Sequence, residues 1–272
     1  MKLIIIFFRR VYMGKKRIQW NEQTYLRFLR EGRGQGSGQE YIPWIKIHDF
    51  PSKGVCSRIY CEKTHRIHHL LSHNEENYFY MLSCDPLVTD IREQFPLRLS
   101  ETLEIAKRMH IRHPQKGSFP FVLTTDFLIS RGDRLEARTI KSAGELQNKR
   151  ICEKFSIEYA YWKSKGIDWK IVTDRNINKD KALNCRWLSQ PPKLNELIPD
   201  HQLRSLVQEV FFRLYQNMDI PFSAICGFIE QRYALSPGNA LCIFRHLVLS
   251  GRIPLNLDVR INPLEPRTAG GI

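Results

Sequence analysis

The chain has 272 residues, of which 42% are hydrophobic and 26% charged, and it carries a net charge of +14. This composition excludes a disordered or membrane-embedded protein and allows two cores. Residues 191–272 hold 8 Lys+Arg against 7 Asp+Glu, so +13 of the +14 belongs to residues 1–190, and that segment is expected to meet a polyanion, most simply nucleic acid.

In chain order, the start MKLIIIFFRR has too short an apolar run to span a membrane and no small-residue cleavage site. Residues 1–19 are expected to be a misassigned start or a disordered tail, without membrane association. From Trp20 to Glu31 the spacing of Trp20, Tyr25, Phe28 and Leu29 predicts an amphipathic helix, closed by the loop GRGQGSGQ. That loop is either a phosphate-approaching turn, with Arg33 and Gln35 as contacts, or a flexible connector. Cys56, Cys61, His65, His68 and His69 lie close together, but irregular spacing and only two thiols weigh against zinc. The seven cysteines contain no Cys-x-x-Cys pair and suit a reducing cytoplasm. One of His68 and His69 is expected to be a buried, hydrogen-bonded support.

Ser72 and Glu75 in S-H-N-E have the form of a capping box, which starts the next helix. LVTDIREQFPL reads as a strand, with Arg92 and Glu93 as exposed charges, and Ser100 is expected to cap the helix ETLEIAKRM. TTDFLI and LEARTIK form a hairpin around Gly132 and Asp133. Residues 144–165 are expected to be helical up to Gly166, before the strand IDWKIVTD. These elements predict an α/β domain over residues 20–188. After the proline-rich LSQPPKLNELIPD, residues 193–272 read as a helical, winged-helix or helix-turn-helix-like domain, with RIPLNLD as a closing strand. Its would-be recognition helix offers only Asn239, Arg245 and His246, so docking of protein or simple packing weighs at least as much as DNA reading.

Period-2 alternation puts Asp126 on one face of the first hairpin strand and Thr139 and Lys141 on one face of the second. If those faces coincide, Asp126 and Lys141 are neighbours. Phosphodiester hydrolysis needs carboxylates for a hard cation and a group that positions or activates water, and a lysine supplies the latter. Nucleases of the PD-(D/E)xK type use such a hairpin with a further acid on a preceding helix, here Glu75. The acid of the triplet is replaced by Thr139, and Glu136 lies on the opposite face unless a bulge intervenes.

The stretches EGRGQGSGQEYIPW (31–44), HRIHHLLSHNE (65–75), DIREQFPL (90–97), HP and TTDFL (113–127), IK (140–141) and EYAYW (158–162) resemble the TnsA family. These are the endonuclease subunits of heteromeric cut-and-paste transposases. The resemblance implies a restriction-endonuclease-like catalytic domain joined to the helical domain, in a prokaryotic cytoplasm. It implies Glu75, Asp126 and Lys141 as catalytic residues. Mg²⁺, with Mn²⁺ able to substitute, would be held by Glu75, Asp126 and the Ile140 carbonyl, with Thr139 a weak further ligand and Glu158 helping through a water. Arg92 would shape the DNA or subunit face. The implied partners are transposon-end DNA, a TnsB-like transposase of the DDE type and a TnsC-like ATP-dependent regulator. A stand-alone restriction or repair nuclease, or a non-catalytic assembly adaptor, are the rival readings.

Overall fold

A computed structural model describes residues 18–49, 55–189, 191–217 and 219–262. The expectation for residues 1–19 therefore lies almost wholly outside the described residues. The first helix, α1 (Glu22–Arg30), starts one residue after Asn21, whose side chain caps Thr24 N, so Trp20 precedes the helix instead of opening it. A hairpin of β1 (Ser57–Cys61) and β2 (Arg66–Leu70) leads into α2 (His73–Cys84). The central sheet then begins with β3 (Val88–Pro96).

Next comes α3 (Leu99–Arg108), which starts earlier than expected: Arg98 is its N-cap and Ser100 is already helical. Two short strands, β4 (Gln115–Lys116) and β5 (Phe119–Pro120), precede the hairpin of β6 (Thr124–Arg131) and β7 (Arg134–Lys141). A 3-10 turn and α4 (Lys149–Ser164) cross over to β8 (Asp168–Thr173), which pairs parallel to β7. The sheet order is β3-β6-β7-β8, antiparallel except for the last pair.

Alternation along the strands gives this sheet two apolar faces. Ile91, Phe127, Ile129 and Ile140 pack on Phe79, Tyr80 and Leu82 of α2. Leu128 and Ala137 pack on Ile105 and Ala106 of α3 and on Ile157, Tyr161 and Trp162 of α4. At one end an aromatic cluster of Trp20, Phe28 and Trp44, flanked by Tyr25, Phe119 and Phe121, closes the layer, with the Trp20 indole donating to the Pro120 carbonyl at 2.9 Å.

The helix α5 (Lys179–Leu188) belongs to two cores at once. Ile177 and Cys185 join the cluster under α2, while Trp187 packs against the second cluster. After a short α6 (Leu194–Leu197) come α7 (His201–Gln216), α8 (Phe222–Arg232) and α9 (Asn239–Leu249). Val207, Phe211, Phe222, Ile225, Ile229, Ile243, Phe244 and Leu247 form their shared interior.

The expected closing strand RIPLNLD is absent. Residues 252–258 form bends, a turn and irregular chain: Ile253 and Leu255 pack among the helices, and no strand pairs with the stretch among the described residues. Asn184 holds the chain beyond it: its amide donates to the Leu257 and Val259 carbonyls at 2.8 and 2.7 Å, and its oxygen accepts from Ile261 N at 3.0 Å. Of the three polar residues on α9, Arg245 donates to the Ser189 carbonyl at 2.7 Å and His246 donates to that of Pro192 at 2.8 Å, so both tie the preceding linker. Among the described residues no helix is long and apolar enough to cross a membrane.

Candidate active site

The register of the sheet opens a fork. The β6–β7 pairing runs only from Arg131↔Arg134 to Phe127↔Arg138. Beyond it β6 stays paired with β3 as far as Pro96↔Thr124, and β7 stays paired with β8 as far as Lys141↔Thr173. Where the strands part, Asp126 occupies the gap: its Oδ2 accepts from Ile140 N at 2.7 Å, so the carboxylate replaces the missing strand partner. Leu128 pairs with Ala137, so Asp126, Thr139 and Lys141 share one face, as the alternation requires. A cleft of about 360 Å³ lies there, lined among others by Glu75, Asp126, Thr139, Ile140, Lys141, Lys154 and Glu158.

Glu75 arrives from the first turn of α2 through the expected capping box. Its N–H donates to Ser72 Oγ at 3.2 Å, Ser72 Oγ–H donates to Oε1 at 2.9 Å, and Leu71 N–H donates to Oε2 at 2.9 Å. The carboxyl is buried, not partly exposed as a surface first turn would leave it. Burial first, and the neighbouring Asp126 second, push its pKa up to about 8. Asp126 is likewise raised by burial, against the lowering effect of the Ile140 and Gln94 hydrogen bonds and of Lys154 and Lys141.

Gln94 joins the two carboxylates and was not anticipated. It lies opposite Asp126, between the pairs Glu93↔Phe127 and Phe95↔Thr125, with a positive φ of 47° that is rare outside glycine. Its Nε2 donates to Asp126 Oδ1 at 3.1 Å and reaches Glu75 Oε2 at 3.4 Å, while Thr124 Oγ–H donates to its Oε1 at 3.2 Å. An amide that follows two charges, Arg92 and Glu93, in a strand reads as ordinary pleat chemistry. Only the strand pairing and the helix contact reveal it as a bridge.

Glu158 is buried, which removes a surface ion pair as its role. Its Oε1 accepts from Thr125 Oγ–H at 2.5 Å and from Thr139 Oγ–H, and burial raises its pKa to about 7. The Thr139 hydroxyl donates to Glu158 and accepts from the Trp169 indole at 3.2 Å, so it is committed to holding Glu158. Lys141 pairs with Glu145 at 3.0 Å. Lys154, unremarked in the sequence, is exposed at the cleft and pairs with no carboxylate among the described residues.

Among the described residues no three His, Cys, Asp or Glu side chains converge as a ready ligand set. Two buried carboxylates, both raised by burial, still fit a hard divalent cation, which takes oxygen donors and completes its shell with carbonyls, waters and substrate phosphate. The Cys and His residues set aside for zinc do not converge as one set among the described residues, although Cys61 and His68 are neighbours. His65 is exposed beside Glu62, whereas His68 is fully buried between Glu93 and Thr64 with its ring against Phe79 of α2.

The contact candidates fare differently. Arg33 is a correction: it is buried, paired with Asp49 and Glu31, and stacked 3.6 Å from the Phe28 ring, so no cation is presented to a phosphate. Its loop is neither cradle nor loose connector, because a Cβ on Gly34, whose φ is +76°, would meet Pro96 at 2.1 Å. Gln35 remains exposed. Arg92 is half-buried beside Asp90 at 3.3 Å. Glu93, read as an exposed charge, is wholly buried and accepts from Arg66, His68 and the His69 amide.

The TnsA-like endonuclease N-terminal family matches residues 85–174, and the TnsA endonuclease C-terminal family matches residues 176–257. The transposon Tn7 transposition protein TnsA of Escherichia coli is 37% identical over 248 residues, covering 90% of each chain. The chain belongs to the TnsA endonuclease family. It is thus an endonuclease subunit of a transposase, and Asp126, Lys141 and Glu158 lie inside the N-terminal TnsA match.

Proposed function

We propose that the fork between β6 and β7 is a PD-(D/E)xK-type centre that cuts the 5′, non-transferred strand at each transposon end. The observation that carries this reading is the meeting of Asp126 and Lys141, from the two strands of the β6–β7 hairpin, with Glu75 of the distant α2 in one cleft. Mg²⁺, or Mn²⁺ in its place, would be held by Glu75, Asp126 and the Ile140 carbonyl, and would supply a Lewis acid for the phosphate and a more acidic water.

The chain's own residues do the rest. Gln94 fixes both carboxylates through one amide, so their spacing is set before DNA arrives. Lys141 directs an ammonium at the attacking water or at the charge that grows on the phosphate. Glu158, held near neutrality by burial and aimed by Thr125 and Thr139, accepts a proton through an intervening water. Thr139 acts as a positioning residue for Glu158, and the helix-turn-helix-like segment after residue 193, nearly neutral in charge, suits docking of a TnsC-like regulator. A TnsB-like transposase of the DDE type would process the 3′ ends of the same transposon DNA in the cytoplasm.

The test is product connectivity, with the cognate transposition proteins and either the wild-type chain, Asp126→Ala or Asp126→Asn. The wild type should give simple insertions, and both variants should leave the 5′ ends joined to donor DNA. Identical junctions from all three would reject the assignment.

A further inference from the structure

The stripe Ile151, Lys154, Phe155 and Glu158 on α4 follows helical spacing and lines one wall of the cleft. An exposed helix lysine ordinarily finds the acid four residues on, here Glu158. That partner is turned away, since Glu158 is engaged by Thr125 and Thr139 beneath the cleft. Lys154 therefore lines the cleft with no carboxylate paired to it among the described residues. The other lysine of the cleft, Lys141, already shares its charge with Glu145 at 3.0 Å.

Cleaving a phosphodiester raises the negative charge on the phosphate by one unit at the transition state, and an unshared ammonium facing that point stabilises it. We infer that Lys154 is a second catalytic cation, which donates a hydrogen bond to a non-bridging oxygen of the phosphate being cut. The inference rests on the cleft being the cutting site. No bond of Lys154 forms or breaks: water oxygen joins phosphorus and gives its proton through a second water to Glu158, the bond to the 3′ oxygen breaks and that oxygen takes a proton from solvent water, and the ammonium keeps its protons throughout. A lysine merely solvated on the helix face would leave cutting unchanged.

The experiment measures end cleavage by the full chain with its cognate transposition proteins for wild type, Lys154→Gln, Lys154→Arg and Asp126→Asn. In parallel, binding of the full chain to a transposon-end duplex is followed without divalent cation across about 50–200 mM salt. Lys154→Gln should cut about 10²-fold more slowly, while Lys154→Arg, which keeps the charge, should recover most of the rate. The slope of log affinity against log salt should weaken by about 0.9 in Lys154→Gln, one phosphate contact fewer. Wild-type cutting by Lys154→Gln beside an inactive Asp126→Asn overturns the inference and leaves the site standing. Loss of cutting that Lys154→Arg does not restore, with an unchanged salt slope, overturns it too. Wild-type cutting by Asp126→Asn as well would instead sink the site.

Discussion

At the residue scale the site depends on one side chain that no motif announces. Gln94 holds Glu75 and Asp126 through a single amide, and its backbone stays in a conformation that costs about 1–3 kcal/mol for a non-glycine residue. Gln94→Ala should lower stability by about 1–3 kcal/mol, because Thr124 and two buried carboxylates each lose a partner. It should also slow end cleavage by about 10²-fold through lost preorganisation. Urea midpoints and cleavage rates check the two effects separately, and a variant that cuts at the wild-type rate would show the bridge to be ornamental. The shared face of Asp126 and Lys141 and the start of α2 at Glu75 were legible in the sequence because period 2 and the capping box are local rules, whereas the role proposed for them came from the family resemblance. Arg33, Glu93 and Gln94 were not, since the partners that bury them come from Asp49, Arg66 with His68, and Asp126, all outside any local window.

At the element scale, Glu93 fastens the β1–β2 hairpin to the edge strand of the central sheet. Arg66 donates to it at 2.8 and 2.6 Å, and His68 at 2.8 Å. Burial alone would push the Glu93 carboxyl up, but His68 and then Arg66 hold it well below the carboxylate range. Burial would likewise lower His68, yet Glu93 raises it above its ordinary value. The depressed carboxyl stabilises the fold above its unfolded pKa of 4.5, and that contribution fades as pH falls through the folded value. The raised imidazole stabilises the fold below its unfolded pKa of 6.5, and its contribution fades as pH rises through the folded value.

Both contributions are complete between those two unfolded values. The melting temperature should therefore peak in mildly acidic buffer and decline on each side. Glu93→Gln should lose about 3–5 kcal/mol by leaving Arg66 buried without its partner, and should flatten that profile. An unaltered pH profile in Glu93→Gln, read by calorimetry, would contradict the coupling. The hairpin of β6 and β7 was plain from TTDFLI and LEARTIK, as was the start of α2. The wing strand was read from RIPLNLD by composition alone, and a strand needs a neighbour to pair with, which helical packing around Ile253 does not provide.

At the scale of the whole molecule, charge and packing divide the chain differently. Nearly all the net positive charge lies before residue 191, on the side of the sheet and its cleft, while the last helices are close to neutral. That asymmetry was legible by counting. The way the halves are joined was not, because it rests on Asn184 reaching the backbone around residues 257–261. Asn184→Ala should leave two carbonyls and an amide unpaired, at a cost of about 1–3 kcal/mol. Hydrogen exchange should show lost protection at Ile261 with little change in β6 and β7, and unaltered protection there would argue against Asn184 as the clasp.

The two family matches meet at residues 174 and 176, just before α5, yet Ile177 and Cys185 are part of the core under α2. The unit of descent and the unit of packing are therefore offset by one helix. A chimera that swaps halves between relatives at that junction would set one parent's α5 against the other parent's α2, whereas a crossover after Leu188 keeps both sides of that seam from the same ancestor.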